Sequence, residues 1–260
     1  TSNSGGSFTY TSSNTSVATI SGSTVTIVGV GTSTITATQA ASGSYTSGTI
    51  TATLTVNQIA PTLSNFTIAA QNFGSSPFSL TAPTSNSGGS FTYTSSNTSV
   101  ATISGTTVTV VNAGSTIITA TQASTTNYTS GTITATFIVN QIAPSLSNFT
   151  VAARNFGSAA FSLTAPTSNS GGSFTYTSSN TSVATISGST VTIIGGGTST
   201  ITATQASTTN YTSGSITATL TVNPIAPTLS NFTVAAQNFG SSPFSLTAPT
   251  SNSGGSFTYT

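Results

Sequence analysis

The chain contains no Asp, Glu, His, Lys or Cys, and its 260 residues include one Arg, Arg154. Each absence removes a class of chemistry. General acid–base catalysis needs a side chain that titrates near the working pH, and none is present. Ser and Thr are abundant, but a hydroxyl nucleophile needs a neighbouring base to activate it. The expectation is therefore a protein that is not an enzyme, with no catalytic residue. Zinc sites draw on Cys, His and carboxylates, and calcium sites lean on Asp and Glu, so no metal and no cofactor site is expected. Without Lys there are no Lys–Asn crosslinks, and without Cys there are no disulfides. One Arg cannot neutralise a phosphate backbone, so nucleic acid is excluded as a partner. No apolar run approaches the roughly 18 residues of a membrane-spanning helix. No signal peptide is visible. Both ends fall inside a repeat and are read as cuts in a longer array, so a missing signal says nothing about secretion.

What is present is a repeat. The string TSNSGGSFTYT begins at Thr1, Thr84, Thr167 and Thr250, a period of 83 residues without insertion or deletion. The first and third copies differ at 9 of 83 positions, and the first and second at 18. Many differences fall in Gly/Ser/Thr-rich stretches, where surface turns tolerate change. A period of 83 is too long for one solenoid coil and suits a whole domain.

Within one copy, apolar residues alternate with Ser and Thr. This occurs in LSNFTIAA from Leu63, FSLTAP from Phe78, SFTYT from Ser90, and VATIS from Val100. It continues in TVTVV from Thr107, IITATQ from Ile117 and TITATFIV from Thr132. A period of two marks half-buried strands. Seven short strands separated by turn signals read as an all-β, immunoglobulin-like β-sandwich. No 3.6-residue apolar stripe appears, and Ser, Thr, Gly and β-branched residues disfavour helix. Strand parity places Phe91, Tyr93, Val108 and Ile118 in the core.

The expected organisation is a partial domain at 1–57 (late strands), complete domains at 58–140 and 141–223, and a partial domain at 224–260 (early strands). The joints fall at Asn57–Pro61, Asn140–Pro144 and Asn223–Pro227, where a short Pro-containing connection favours stiffness.

The run YTSSNTSVATISGSTVTIVGVGTSTITATQA resembles bacterial immunoglobulin-like domains of the group 2 type. The residues that carry the resemblance are Tyr10, Ser12, Ser13, Asn14, Val17, Ala18, Thr19, Gly22, Val25, Gly31, Thr32, Ile35, Thr36 and Ala37, recurring from Tyr93 and from Tyr176. The stretch Asn210–Asn223 resembles the end of the same domain. Tyr10 stands where the family commonly has Trp, and acidic residues are missing, which argues against calcium stiffening. The resemblance implies a stalk, surface fibre or appendage, extracellular or on a cell or virion surface, in which fold alone does not fix function.

Three functional readings remain. The first is an extracellular filament segment that contacts copies of itself through neutral Ser/Thr/Asn-rich surfaces. The second is an adhesin stalk that presents a distal binding domain. The third is a glycan-binding module. Eight N-x-S/T sequons lie at Asn14, Asn65, Asn97, Asn127, Asn148, Asn180, Asn210 and Asn231, where N-glycans would attach. With 19 Asn, and 35 Ser or Thr in the first 83 residues, chance gives about eight, so their number is no sign of glycosylation. Arg154 replaces Gln71 and Gln237 of the other copies. A buried Arg would lack a carboxylate partner, so a solvent-facing position is expected.

Overall fold

A computed structural model describes residues 1–260. Every regular element is a β-strand. The chain divides into two compact units, Thr1–Ile142 and Ala143–Thr260.

In the first unit, a four-stranded sheet is ordered Phe91–Ser95, Gly114–Gln122, Gly131–Asn140 and Gln71–Asn72. The first three strands are antiparallel, and Gln71–Asn72 runs parallel to Val139–Asn140. The second sheet is ordered Ala101–Ser104, Thr107–Val110 and Phe78–Ser79. A short pair, Leu63–Ser64 with Thr84–Ser85, completes the set. Between the two larger sheets lies the core: Phe66, Val100, Ala101, Val108, Ile118, Ala120, Phe137 and Val139. Phe137 is fully buried, and its ring lies 5.5 Å from that of Phe78. Burying such a side chain contributes about 1.5–3 kcal/mol.

Local chemistry fixes the turns. Asn97 Oδ1 accepts hydrogen bonds from Ser99 N at 3.1 Å and Ser99 Oγ at 2.6 Å, and this closes the turn between the sheets. The buried Thr116 hydroxyl holds the start of that turn by accepting from Asn97 N at 2.9 Å. Gly105 adopts φ +60 in the two-residue link between Ser104 and Thr107, a conformation only glycine takes without steric cost.

Two expectations need correction. Within LSNFTIAA only Leu63–Ser64 pairs, and Gln71–Asn72, just beyond it, pairs in a different sheet. Asn65 sits at φ 58, in the left-handed region, and turns the chain between them. FSLTAP likewise pairs only at Phe78–Ser79, after which Leu80 N donates to Thr106 O.

The second unit repeats this plan. Arg154–Asn155, Gly214–Asn223, Gly197–Gln205 and Phe174–Ser178 form its four-stranded sheet. Phe161–Ser162, Thr190–Ile193 and Ala184–Ser187 form the three-stranded one. Its core gathers Phe149, Leu163, Val183, Ala184, Val191, Ile201, Ala203, Leu220 and Val222.

Residues 1–57 show what the early strands contribute. Here Phe8–Ser12, Gly31–Gln39 and Gly48–Val56 form one sheet and Ala18–Ser21 pairs with Thr24–Ile27. No strand equivalent to Phe78–Ser79 lies beside Thr24–Ile27. Val25 is consequently 44% exposed, whereas Val108 and Val191, at the same place in the repeat, are fully buried.

Candidate functional site

No group of His, Cys, Asp or Glu could hold a metal ion. No helix is long and apolar enough to cross a membrane. Apart from Arg154 the side chains are uncharged, and the sheet register shows how the neutral surfaces are built.

In the first unit, Thr92 pairs with Thr121 and Thr121 with Thr132. One step along, Thr94 pairs with Thr119 and Thr119 with Thr134. Opposed residues share a face, so these six threonines form two rows across three strands. The sheet's other face carries Tyr93, Ala120 and Ile133 toward the core. Rows of this kind stand about 4.8 Å apart between strands and about 6.8 Å along them. The rows recur as Thr9–Thr38–Thr49 and Thr11–Thr36–Thr51. In the second unit they recur as Thr175–Thr204–Ser215 and Thr177–Thr202–Thr217. Ile117 and Ile138 are exposed beside the rows of the first unit. The surface is thus hydroxyl-rich, mildly apolar and uncharged.

The residues expected in the core fall into two groups. Val108 and Ile118 are fully buried and touch the same cluster. Phe91 and Tyr93 are half-buried and pack against its rim. Tyr93 lies between Phe66 and Phe91, at ring distances of 6.0 and 6.4 Å. Burial raises the Tyr93 phenol above its ordinary value, and that of Tyr176 likewise.

Seven of the eight sequon asparagines are exposed, and Asn210 is half-buried. Most have structural duties. Asn14, Asn97 and Asn180 close the inter-sheet turn through Oδ1. Asn65, Asn148 and Asn231 hold φ values of 58 to 60, and each donates its amide to a Thr hydroxyl. Asn127 Oδ1 accepts from Val30 N at 3.0 Å, tying residues 1–57 to the following sandwich inside the first unit. Beside it, Gln58 Nε2 donates to Thr125 O at 2.7 Å, and Thr129 N donates to Ile59 O at 2.9 Å. A shallow cavity of about 210 Å³ lies here, lined by Ile27, Val28, Val56 and Ile59 among others.

Two further arrangements escaped the sequence reading. Arg154 is exposed, as expected, but its guanidinium also sits 4.6 Å over the Phe161 ring, a contact worth about 0.5–1 kcal/mol at such a site. Gln122 is buried among three polar partners: it accepts from Ser85 Oγ and donates to Ser87 O and Gly89 O. Strand parity offered the available signal for Gln122, because it places this polar residue on the inward face after Ile118 and Ala120.

Residues 62–133 match the family described as bacterial Ig-like domain (group 2). No curated protein sequence matches the chain. Among solved structures, Drosophila N-cadherin EC1-4 is 13% identical, covering 84% of this chain and 67% of its own, with a TM-score of 0.30. Domains 4 and 5 of the S-layer protein SbsC are 22% identical, covering 51% of this chain and 76% of their own, with a TM-score of 0.23. BT4661, a SusE-like surface located polysaccharide binding protein from Bacteroides thetaiotaomicron, is 14% identical, covering 68% of this chain and 37% of its own, with a TM-score of 0.26.

Proposed function

Because residues 62–133 belong to the bacterial Ig-like family of group 2 and their sequence recurs every 83 residues, we propose that the chain is a structural segment of an extracellular filament or appendage. It is non-catalytic, and copies associate through neutral Ser/Thr/Asn-rich surfaces. The observation that carries this reading is the repeated threonine face, made in the same register in every copy of the strand triplet. A typical soluble protein keeps about 25% charged residues, and net charge keeps proteins dispersed. Here one Arg is the whole side-chain supply. Uncharged hydroxyl surfaces can meet without desolvating ions, and a weak contact repeated along one chain gains by multivalency.

A second reading is an adhesin stalk that holds a distal binding domain away from a surface. It is favoured by the tie at Asn127, which fastens consecutive folded segments in the first unit without needing calcium or charge. Electron microscopy of the isolated protein separates the two readings. The filament reading expects many chains joined laterally or end to end. Single, unassociated chains at every concentration would leave the stalk reading in its place.

A further inference from the structure

We propose that the surface joining two copies is the free edge of the four-stranded sheet, strand Phe91–Ser95 and its counterparts Phe8–Ser12 and Phe174–Ser178, each pairing antiparallel with the same strand of a second chain. This inference rests on the self-association proposed above and assigns it a surface.

The backbone parity comes first. Ser96 N donates to Ile117 O, and Ala123 N donates to Ser90 O. With the register Phe91↔Gln122 through Ser95↔Ile118, the hydrogen-bonded pairs are therefore the even residues, with Thr92 opposite Thr121 and Thr94 opposite Thr119. In an antiparallel ladder the intervening residues direct their N–H and C=O groups to the other side. Phe91, Tyr93 and Ser95 consequently aim their backbone groups away from the sheet, and no further strand lies there. The same parity holds at the other copies, where Ala40 N donates to Ser7 O and Ala206 N donates to Ser173 O.

This edge lacks the usual guards. Natural sheets blunt long edges with Lys, Pro, inward charges or bulges, or keep the edge strand short. The sequence FTYTS has none of these residues, and its five-residue register is unbroken. The sheet's opposite side is not uniform: Gln71–Asn72 pairs with Val139–Asn140 in the first unit, and no strand lies beyond Gly48–Val56, whereas the FTYTS edge is free along its whole length at Phe8–Ser12, Phe91–Ser95 and Phe174–Ser178.

The occupant follows from symmetry. The free groups at residues 91, 93 and 95 are symmetric about Tyr93. A two-fold axis there sets Tyr93 opposite its own copy and Phe91 opposite Ser95, closing about six backbone hydrogen bonds. Thr92 then faces Thr94 of the second copy on the outer surface, a favourable cross-strand pair, and the threonine rows continue from one chain into the next. The two Tyr93 rings, each half-buried, cover one another across the joint. No like charges meet, because there are none.

Amide hydrogen exchange on the whole chain tests this. In dilute solution, Phe91, Tyr93 and Ser95 and their counterparts should exchange freely, while Thr92 and Thr94 are protected. On assembly the three free amides should slow by more than about tenfold. A triple variant, Thr11→Lys, Thr94→Lys and Thr177→Lys, should lose assembly. The matched variant Thr51→Lys, Thr134→Lys and Thr217→Lys places its charges two strands away from that edge and should retain it. Protection of the backbone amides at positions 92 and 94 in both variants shows that the fold survives. Assembly without protection at Phe91, Tyr93 and Ser95, or equal loss in both variants, overturns the edge assignment and leaves self-association standing. No assembly of the parent chain at any concentration removes the self-association reading itself.

Discussion

Gln122 shows how a chain without charge still fixes its loops. Its side chain is 1% exposed, and its three hydrogen bonds, at 2.7, 2.9 and 2.9 Å, tie the strand Gly114–Gln122 to the loop at Ser85–Gly89. Gln205 makes the same three bonds to Ser168, Ser170 and Gly172 in the second unit. Replacing Gln122 with Leu would keep the volume but leave two carbonyls and a hydroxyl without their partner. The expected cost is roughly 1–3 kcal/mol, read as a lower urea midpoint with unchanged slope. Titration is the second matter at this scale. With no carboxylate, imidazole or ammonium side chain, stability should be flat from mildly acidic to mildly alkaline pH. The phenols of Tyr93 and Tyr176 are raised above 10.0 by burial. The protonated phenol is the neutral form, so the folded state holds its proton to higher pH than the unfolded chain. Their contribution is thus intact below pH 10.0 and is lost as pH rises through the raised native value. A urea midpoint that changed between pH 4 and 8 (both well below the phenol range, about 10) would show that some other group is linked to folding.

Strands obey alternation wherever a partner strand pairs along most of their length. Phe91–Ser95, Ala101–Ser104, Thr107–Val110, Gly114–Gln122 and Gly131–Asn140 all lie where the apolar/Thr pattern places them, because parity alone decides which side chains face inward. The first strand failed for a local reason. Leu63, Phe66 and Ile68 keep an apolar rhythm, but Asn65 at φ 58 turns the backbone between Leu63–Ser64 and the later pairing. Asn tolerates that region better than most residues, yet nothing in the alternation marks it. Asn65→Ala should therefore cost about 1–2 kcal/mol through the left-handed backbone, with a further loss from the bond to Thr84 Oγ1. Asn65→Gly removes the same bond but fits the backbone, so its thermal midpoint should fall less than that of the Ala variant. Equal losses would assign the effect to the hydrogen bond. The parallel pairing of Gln71–Asn72 with Val139–Asn140 was equally illegible, since such long-range partners leave no local pattern. The surface was legible in part: the neutral Thr face followed from composition and alternation. The free backbone parity at Phe91, Tyr93 and Ser95 required the register, which sequence does not state.

At the scale of the whole molecule, 260 residues carry one charged side chain, so the proposed association would rest on hydrogen bonding and modest apolar burial. Charged surfaces repel or attract over about a Debye length, roughly 8 Å at physiological ionic strength. This chain has almost nothing to screen, and assembly should depend on concentration but not on salt. The repeat strengthens the same point, because one edge and one threonine face recur with the 83-residue period. Sedimentation velocity of the glycan-free chain, over a range of concentrations at low and at physiological ionic strength, tests the account most directly. The expected result is a mass above the 25.5 kDa of one chain that rises with concentration identically at both salts. A 25.5 kDa monomer at every concentration would contradict self-association, and a steep fall in mass with salt would contradict its neutral contacts.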